Sequence, residues 1–381
     1  MSYETKNIRN ICLLGHGNSG KTSLAESMLF TTGAIDRQGK VSDGNTVCDY
    51  DAEEIKRQIT ISASVAPVEF GGCKINVLDC PGYFDFVGEA LAAIRAVEAG
   101  VILCSAKDGI SVGAERSWKY LKAANVPAAF CISKCDEEHG DYYAVLDALK
   151  AKYGSIVCAV TVPMSDGTGV IDVVHNVAYQ TKGGKTSKVA VPASDAGKVE
   201  ELREALMETS AGATEELMEK FFENMELSEE DTIEGLRIGL RERSVVPVFA
   251  SAAMSNIGTD ALLQGIVDYV SNPAEMDFRA ADFRFYGYCD PSLGRTASSD
   301  YSAIVTLAVD GDSGTAYVYD ADLARRHPDR IISDILEKER LLRRETGRGY
   351  TLFGAETNQF QWFLKEQLAE NRSSQLVIRF K

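Results

Sequence analysis

The stretch Gly15-His16-Gly17-Asn18-Ser19-Gly20-Lys21-Thr22 decides the fold of this chain. An apolar run at residues 11–14 precedes it, and residues 23–30 follow with apolar side chains at helical spacing. This order predicts a strand, a glycine-rich turn and a helix, and the turn fits the phosphate-loop pattern GxxxxGK[ST]. The interpretation rests on the predicted strand and helix that flank the turn, because a glycine-rich turn alone can match the pattern by chance.

The chemistry expected of this loop is phosphate binding. Glycines let the backbone turn its N–H groups toward a phosphate, and the N-terminus of the following helix adds positive potential. Lys21 is expected to reach the β- and γ-phosphates of a nucleotide, and the Thr22 hydroxyl to ligate Mg²⁺. The predicted nucleotide contacts of the loop are Gly15, His16, Gly17, Asn18, Ser19, Gly20, Lys21 and Thr22.

The composition indicates buried cores and no membrane anchor. The 381 residues are enough for two domains or three, and 45% of them are hydrophobic. No apolar run approaches the roughly 18–20 residues of a membrane span, and the polar residues 1–6 do not resemble a signal peptide. The nine cysteines form no CxxC pair, and the four histidines are far apart. Buried reduced thiols in a cytoplasmic protein are therefore expected, rather than a zinc site or a disulfide framework.

The net charge of −16 is distributed unevenly along the chain. Residues 275–381 carry 17 acidic and 15 basic side chains, a net of −2, so the first 274 residues carry −14. So acidic a segment is a poor surface for coating nucleic acid. Docking on a ribonucleoprotein through a local patch stays open.

Two further segments have the chemistry of a nucleotide switch. The polar stretch 32–58 leads into RQITI at residues 57–61, and a long polar loop of this kind predicts that Thr60 contacts the metal when Mg²⁺ and the γ-phosphate order it. The next buried strand ends in DCPGY, where Asp79 can hold Mg²⁺ through water and the N–H of Gly82 can contact the γ-phosphate. An ordinary strand-to-turn boundary would also use these residue types, so the spacing from the phosphate loop favours the functional interpretation.

Apolar strands alternate with helices from residue 100 onward. Runs at 100–106 and 128–133 are predicted as buried strands, and 115–124 between them has helical character. This alternation predicts a parallel, doubly wound α/β sheet with the ligand at the carboxyl ends of its strands.

The residues that follow the last strands of that sheet indicate a guanine base. SKCD places Asp136 where a carboxylate can accept hydrogen bonds from the ring N–H and the exocyclic amine of guanine, a donor pair that adenine lacks. The stem of Lys134 can pack over the base. A final strand and a small turn bring Ser251 and Ala252, whose backbone N–H groups are expected to face the guanine oxygen.

These motifs resemble, in order and in spacing, the GTPase domain of elongation factor G and its bacterial paralogues over residues 7 to about 273. GHGNSGKT, RQITI, DCPGY, SKCD and the SAA turn carry the resemblance, with Asp43-Gly44 and Cys48-Asp49-Tyr50 similar to the first switch of that family. The resemblance implies a P-loop GTPase domain at 1–273 with a small α/β subdomain inserted at about 160–242. It also implies binding of GTP and GDP with Mg²⁺, GTP hydrolysis, a cytoplasmic setting and contact with the ribosome.

Three residues depart from the family pattern. Tyr83 stands where the family usually has the histidine that orients the attacking water, and tyrosine, with a pKa of about 10, is a poor base near neutral pH. Ser133 replaces the asparagine that usually begins the base-recognition motif, and Asn18 replaces a common aspartate. Guanine binding is still expected, with slow turnover. The catalytic residues that the resemblance implies are Lys21, Gly82 and Tyr83.

Residues 283–381 follow a different pattern, after a junction at 274–282. Three strands, a helix, a fourth strand ending at Glu356 and a second helix are predicted. This βββαβα order places the first and fourth strands side by side, as in a ribonuclease H-like sheet. Asp290 and Glu356, at corresponding strand ends, would then share a second divalent metal, as two-metal nucleases require. Both residues are also ordinary strand-end carboxylates.

This last segment resembles the nuclease domain of phage large terminase subunits over about residues 283–372. CDPSLG, SDYSAIV, YVYDADLARRHPDRIISDILE and FGAETNQFQ carry the resemblance. It implies a partial ribonuclease H-like α/β segment, because that nuclease needs a further acidic residue and the chain stops at Lys381. Nuclease activity is therefore not expected.

Two alternatives to a GTPase stay open at this point. One is a phage terminase-type DNA-packaging protein, which would bind DNA and prefer ATP. The other is an accidental in-frame join of two pieces without a common function. Elongation factor G continues from its GTPase domain into further domains that this sequence does not contain, so translocation is not expected.

Overall fold

The computed structural model of the chain describes residues 3–182, 185–275, 283–290, 302–311, 316–324, 328–355 and 378–380. The chain divides into two compact units, Met1–Met276 and Asp277–Lys381. The candidate nucleotide site lies in the first unit.

The first unit alternates strands and helices along most of its length. Its strands are β1 (Ile8–Gly15), β2 (Ser64–Phe70), β3 (Cys73–Asp79), β4 (Ala99–Ser105), β5 (Ala128–Ser133), β6 (Val157–Ala159), β7 (Thr161–Pro163), β8 (Gly169–Asp172), β9 (Val177–Lys182), β10 (Lys185–Ala190) and β11 (Val246–Ala250). Its helices are α1 (Lys21–Thr31), α2 (Ala52–Arg57), α3 (Val87–Ile94), α4 (Val112–Ala123), α5 (Tyr142–Tyr153), α6 (Ala196–Ala211), α7 (Glu215–Asn224), α8 (Glu229–Glu242) and α9 (Thr259–Tyr269). Short 3₁₀ turns lie at Thr5–Asn7, Val41–Asp43, Phe84–Phe86, Ala253–Ser255 and Pro273–Glu275.

A seven-stranded sheet in the order β2-β3-β1-β4-β5-β11-β6 forms the core of this unit. All neighbours are parallel except β2, which runs antiparallel to β3. Every residue of β4 and β5 is buried, because helices cover both faces of a parallel sheet. The predicted doubly wound sheet is confirmed. Since β1 lies between β3 and β4, the strand order reverses beside it, and a ligand crevice forms at the carboxyl ends there.

Two local features differ from the sequence prediction. Helix α4 begins at Val112 rather than near residue 115, because the hydroxyl of Ser111 accepts a hydrogen bond from the N–H of Ala114 at 3.2 Å and caps the helix. Strand β2 is not predicted from the sequence. This strand contains Pro67, which lacks an N–H. A proline is tolerated there because β2 lies at the edge of the sheet.

A second, smaller sheet lies in the region of the predicted insertion. It is antiparallel, with the order β10-β9-β8-β7, and helices α6, α7 and α8 follow it along the chain. These elements occupy residues 161–242, between two neighbouring strands of the main sheet, β6 and β11. The predicted α/β insertion is therefore confirmed as to fold.

The second unit is also α/β. It contains β12 (Phe283–Asp290), β13 (Ser302–Asp310), β14 (Ala316–Ala324), helix α10 (Pro328–Thr346), β15 (Tyr350–Ala355) and β16 (Ile378–Phe380), with the strand order β14-β13-β12-β15-β16. Strand β12 pairs antiparallel with β13 and parallel with β15. The predicted adjacency of the first and fourth strands is thus confirmed. The helix predicted at 359–370 lies outside the described residues.

Among the helices in the described residues, none is both long enough and apolar enough to cross a membrane.

Candidate functional site

The predicted phosphate loop joins β1 to α1 at the centre of the main sheet. Gly15 (φ 138°) and Gly20 (φ 94°) take backbone conformations that favour glycine. Lys21, at the start of α1, is buried, and its Nζ donates hydrogen bonds to the carbonyl oxygens of His16 at 2.8 Å and Gly15 at 3.4 Å. The ammonium group therefore lies against the loop whose bound phosphates it is predicted to contact.

Gly82 lies directly against this loop. A Cβ atom at Gly82 would come within 2.6 Å of the backbone nitrogen of Gly17 and would overlap Nζ of Lys21. Only glycine fits there without displacement of the loop. The structure thus brings the two predicted phosphate-contacting segments together.

Hydroxyl groups and carboxylates meet beside Lys21, at the predicted metal position. The hydroxyl oxygens of Thr22 and Thr60 lie 3.0 Å apart. Asp79 is fully buried, and neither of its carboxylate oxygens has a hydrogen-bond partner among the described residues. Both carboxylate oxygens of Asp49, which is not among the predicted ligands, likewise lack a hydrogen-bond partner in the described part of the chain. Its only signal in the sequence is its place in the Cys48-Asp49-Tyr50 segment.

A cavity of about 390 Å³ opens at this corner and is lined by Asp49, Thr60, Gly82, Lys21 and Thr22, among others. In the described part of the chain no group of three or more His, Cys, Asp or Glu residues is arranged to hold a metal ion. Mg²⁺ in nucleotide sites takes one or two carboxylates and completes its shell with phosphate oxygens and water. Unpartnered carboxylates beside two threonine hydroxyls fit such an ion bound together with a nucleotide.

Burial controls the electrostatics of the site. It raises the pKa of Asp79 to about 7, and the nearby Thr22 hydroxyl and Lys21 ammonium, which favour the carboxylate, offset only part of the effect. Burial likewise raises the pKa of Asp49 and lowers that of Lys21. In the chain free of metal and nucleotide, ionised Asp79 is thus an unfavourable buried charge.

Replacement of Asp79 by asparagine is expected to stabilise the metal-free chain at high pH. The pKa of this carboxyl rises from about 3.9 in the unfolded chain to about 7 in the folded one. Its contribution to stability therefore falls as the pH rises from about 4 to 7 and stays low above 7. Urea unfolding in EDTA should show Asp79→Asn more stable than the parent by about 2 kcal/mol or more at pH 8. The gain should vanish toward pH 4. An equal difference at both pH values would contradict a buried, ionising Asp79.

Four of the five predicted base-recognition residues line a second cavity, of about 180 Å³, next to the first: Ser133, Lys134, Asp136 and Ser251, but not Ala252. Ser133, at the end of β5, donates a hydrogen bond to the carbonyl oxygen of Ser19 in the phosphate loop at 2.7 Å. Lys134 (φ 60°) forms an ion pair of 3.3 Å with Glu137. Asp136 accepts a hydrogen bond from the hydroxyl of Ser255 at 2.5 Å. Ser133 therefore links the predicted base-binding segment to the predicted phosphate loop.

The predicted backbone donors of the small turn already have acceptors inside the protein. The N–H of Ser251 donates to the carbonyl oxygen of Ile132, and that of Ala252 donates to Ile257, both at 2.9 Å. Hydrogen bonds from these groups to a guanine oxygen would have to be shared or exchanged. Their role as base contacts stays a prediction.

Tyr83 lies over the phosphate loop. A Cβ atom on Gly17 would come within 2.8 Å of the tyrosine ring, so the absence of a side chain at Gly17 makes room for it. The ring centroid lies 6.5 Å from that of His16. Next to it, Phe84 packs beneath the guanidinium group of Arg116, at 3.8 Å from the ring centroid. Tyr83 also lines the larger cavity, where it can contact a water molecule.

The predicted second metal position is described only in part. Asp290 ends strand β12, and the neighbouring Cys289 is in register with Ala355, the last residue of β15. Glu356 lies outside the described residues, and the structure does not describe the side chain of Asp290. The pairing of these two carboxylates stays a prediction.

Comparison with known proteins adds a family and two relatives. The family model described as the elongation factor Tu GTP binding domain matches residues 6–272. The chain is 29% identical over 280 residues to elongation factor G 2 of Borreliella burgdorferi, which covers 72% of this chain and 42% of that protein. It is 28% identical to a protein of Thermus thermophilus whose crystal structure is known, with a TM-score of 0.69, covering 84% of this chain and 51% of the other. The chain thus spans about half, or less, of the length of these relatives.

Proposed function

The chain belongs to the elongation factor Tu GTP-binding domain family over residues 6–272, and from this premise we propose that it binds GTP and GDP with Mg²⁺ and hydrolyses GTP slowly. One observation carries the proposal. The cavity beside the phosphate loop is lined by Lys21, Thr22, Thr60 and Gly82, and a second cavity next to it is lined by Asp136. Phosphate, metal and base contacts are thereby supported as one continuous site.

In this proposal the residues of the site divide into those that bind phosphate, base and metal. Lys21 binds the β- and γ-phosphates, and Asp136 accepts two hydrogen bonds from the base. Thr22, Thr60 and Asp79 would hold Mg²⁺, with Asp49 beside them, and the ion supplies neutralisation of the charge that develops on the phosphates. Gly82, which touches the loop, donates its N–H to the γ-phosphate. The GTPase domain of the proposal is 1–273, with 160–242 as its inserted subdomain.

The comparison of nucleotides tests this proposal. The purified chain with Mg²⁺ should bind fluorescent GTP and GDP at micromolar concentration or below and ATP at least about 100-fold more weakly. The discrimination rests on the carboxylate of Asp136, which would be left unpaired by adenine. A chain that prefers ATP would overturn the proposal in favour of the terminase-type alternative.

Slow hydrolysis is proposed because Tyr83 lacks a basic nitrogen near neutral pH. Tyr83→His is expected to raise the single-turnover rate about tenfold, since a positioned base commonly contributes 10²- to 10⁴-fold and part of this is lost by imperfect placement. Tyr83→Phe, which keeps the ring over Gly17 and loses only the hydroxyl, is the matched control and should hydrolyse no faster than the parent. An unchanged rate in Tyr83→His would contradict water positioning at residue 83.

Contact with the ribosome in the cytoplasm is a further part of the proposal, and family membership supports it. Cosedimentation with ribosomes should then depend on a non-hydrolysable GTP analogue. Equal cosedimentation with GDP would argue against a nucleotide-controlled contact.

A metal-dependent nuclease in residues 283–381 is the second candidate function. The parallel pairing of β12 with β15 favours it, because Asp290 and Ala355 lie at the carboxyl ends of these two neighbouring strands. Incubation of plasmid DNA with the chain and Mg²⁺ or Mn²⁺ tests this function, and we expect no cleavage. Cleavage that Asp290→Asn abolishes would establish the nuclease instead.

A further inference from the structure

Two buried glutamates, Glu26 and Glu54, have no task in the proposed reaction. Glu26 lies on α1 and is fully buried, and Glu54 lies on α2 and is 2% exposed. Within the described part of the chain neither forms an ion pair with a lysine, arginine or histidine. Burial of a carboxylate costs free energy unless its oxygens are hydrogen-bonded. The hydrogen-bond partners of Glu26 and Glu54 therefore indicate the role of these two residues.

Glu54 fastens the backbone next to Thr60. Its Oε1 accepts hydrogen bonds from the N–H groups of Ile61 at 2.9 Å and Ser62 at 3.0 Å. Its Oε2 accepts one from the N–H of Asp51 at 3.1 Å, which closes the capping box of α2. One side chain thus ties the start of α2 to the two residues that follow Thr60.

Glu26 fastens the other part of the same loop. Its Oε2 accepts a hydrogen bond from the N–H of Gly39 at 2.8 Å, and its Oε1 accepts one from the N–H of Val47 at 2.5 Å. The fit is close, because a Cβ atom on Gly39 would lie 2.5 Å from the carbonyl oxygen of Asn45. Since Glu26 follows Thr22 by one helical turn, it joins the phosphate-loop helix directly to this loop.

The folded loop 39–62 also brings acidic side chains close to one another. The charges of Glu26 and Glu54 both act to raise the pKa of Asp49, and the nearby Lys21 acts to lower it. Repulsion among these carboxylates opposes closure, whereas their hydrogen bonds to five backbone N–H groups favour it. Charge-assisted hydrogen bonds of this kind are about twice as strong as neutral ones.

We propose that Glu26 and Glu54 are positioning residues that hold the loop 39–62 closed, and that they thereby enable the site to prefer GTP over GDP. The inference rests on the proposed function. Glu54 fixes the backbone that follows Thr60, and the hydroxyl of Thr60 lies 3.0 Å from that of Thr22. A triphosphate supplies the γ-phosphate that the closed loop faces, and a diphosphate does not. Release of the loop should therefore weaken GTP binding and leave GDP binding nearly unchanged.

The test compares Glu54→Ala with Glu53→Ala in the full chain. Glu53 lies on the same helix, but it is exposed and forms surface ion pairs with Lys56 and Arg57, which contribute little. Affinities for a non-hydrolysable GTP analogue and for GDP, both with Mg²⁺, are measured together with hydrogen–deuterium exchange of residues 58–63. Glu54→Ala should bind the analogue about 10- to 100-fold more weakly, bind GDP within about threefold of the parent, and exchange the amides of Ile61 and Ser62 faster. Glu53→Ala should match the parent.

The outcomes separate the inference from the proposed function. Equal weakening of analogue and GDP, or an unchanged ratio, would overturn the inference. An unaltered chain that binds no guanine nucleotide would overturn the proposed function instead. If Glu54→Ala does not fold, Glu54→Gln replaces it, since the amide keeps one accepting oxygen and should weaken the analogue selectively by about three- to tenfold. An amide variant without such selectivity would likewise overturn the inference.

Discussion

Replacement of Lys21 by alanine is expected to abolish measurable GTP binding at micromolar concentration. The ammonium group is buried against the phosphate loop and would make charge-assisted hydrogen bonds to two phosphates. Such bonds contribute about 1.5–3 kcal/mol each, so their loss corresponds to roughly 10²- to 10⁴-fold in affinity. Equilibrium titration with fluorescent GTP and GDP measures the effect.

The control for this prediction is Lys122→Ala. Lys122 is exposed on α4 and carries the same charge, so its removal changes the net charge equally without touching the loop. GTP affinity should stay within about twofold of the parent, as for a screened surface charge. Equal losses in the two variants would mean that general electrostatics, rather than the contact of Lys21 with phosphate, governs binding.

The change Asp136→Asn is expected to exchange guanine specificity for xanthine specificity. The carboxylate accepts from both the ring N–H and the exocyclic amine of guanine, whereas an amide offers one acceptor and one donor. Xanthine carries an oxygen at the position of that amine, which the amide can satisfy. GTP affinity should fall about 100-fold or more, because a hydrogen-bonding site left unpaired discriminates strongly, and XTP should become the better ligand.

Competition of GTP and XTP against a fluorescent analogue measures this exchange. Asp147→Asn is the matched control, because Asp147 is exposed on α5 and undergoes the same chemical change. It should retain the preference for GTP. Loss of both nucleotides alike in Asp136→Asn would indicate a collapsed pocket, because residue 136 also accepts the hydrogen bond of the Ser255 hydroxyl.

The phosphate loop and the ends of the strands are predictable from the sequence because they are local. Gly15 and Gly20 take left-handed or related conformations that the glycine pattern anticipates, and Asp79 is the last residue of β3, in which buried and partly buried residues alternate. Parallel strands end at one edge of a sheet, so residues far apart in sequence meet there without further information. The meeting of Lys21 with Gly82 follows from this rule.

The residues that the sequence does not reveal depend on long-range contacts. Glutamate is rarely buried, and nothing beside Glu26 in the sequence indicates that its partners are the N–H groups of Gly39 and Val47. Asp49 is hidden for the same reason, since a loop folds it into the cavity. The position of the Tyr83 ring depends on the space that the missing side chain of Gly17 leaves, and this space exists only once the loop has folded.

The hydroxyl of Ser133 joins the base pocket to the carbonyl oxygen of Ser19 in the phosphate loop. If a bound base fixes the end of β5, we expect it also to reduce the conformational freedom of the loop before the phosphates bind. By reciprocity, bound phosphates favour the base-binding arrangement to the same extent. Guanosine and pyrophosphate are thus expected to bind cooperatively when added as separate molecules. Ser133, although shorter than the asparagine usual in the family, would then couple the base-binding and phosphate-binding parts of the site.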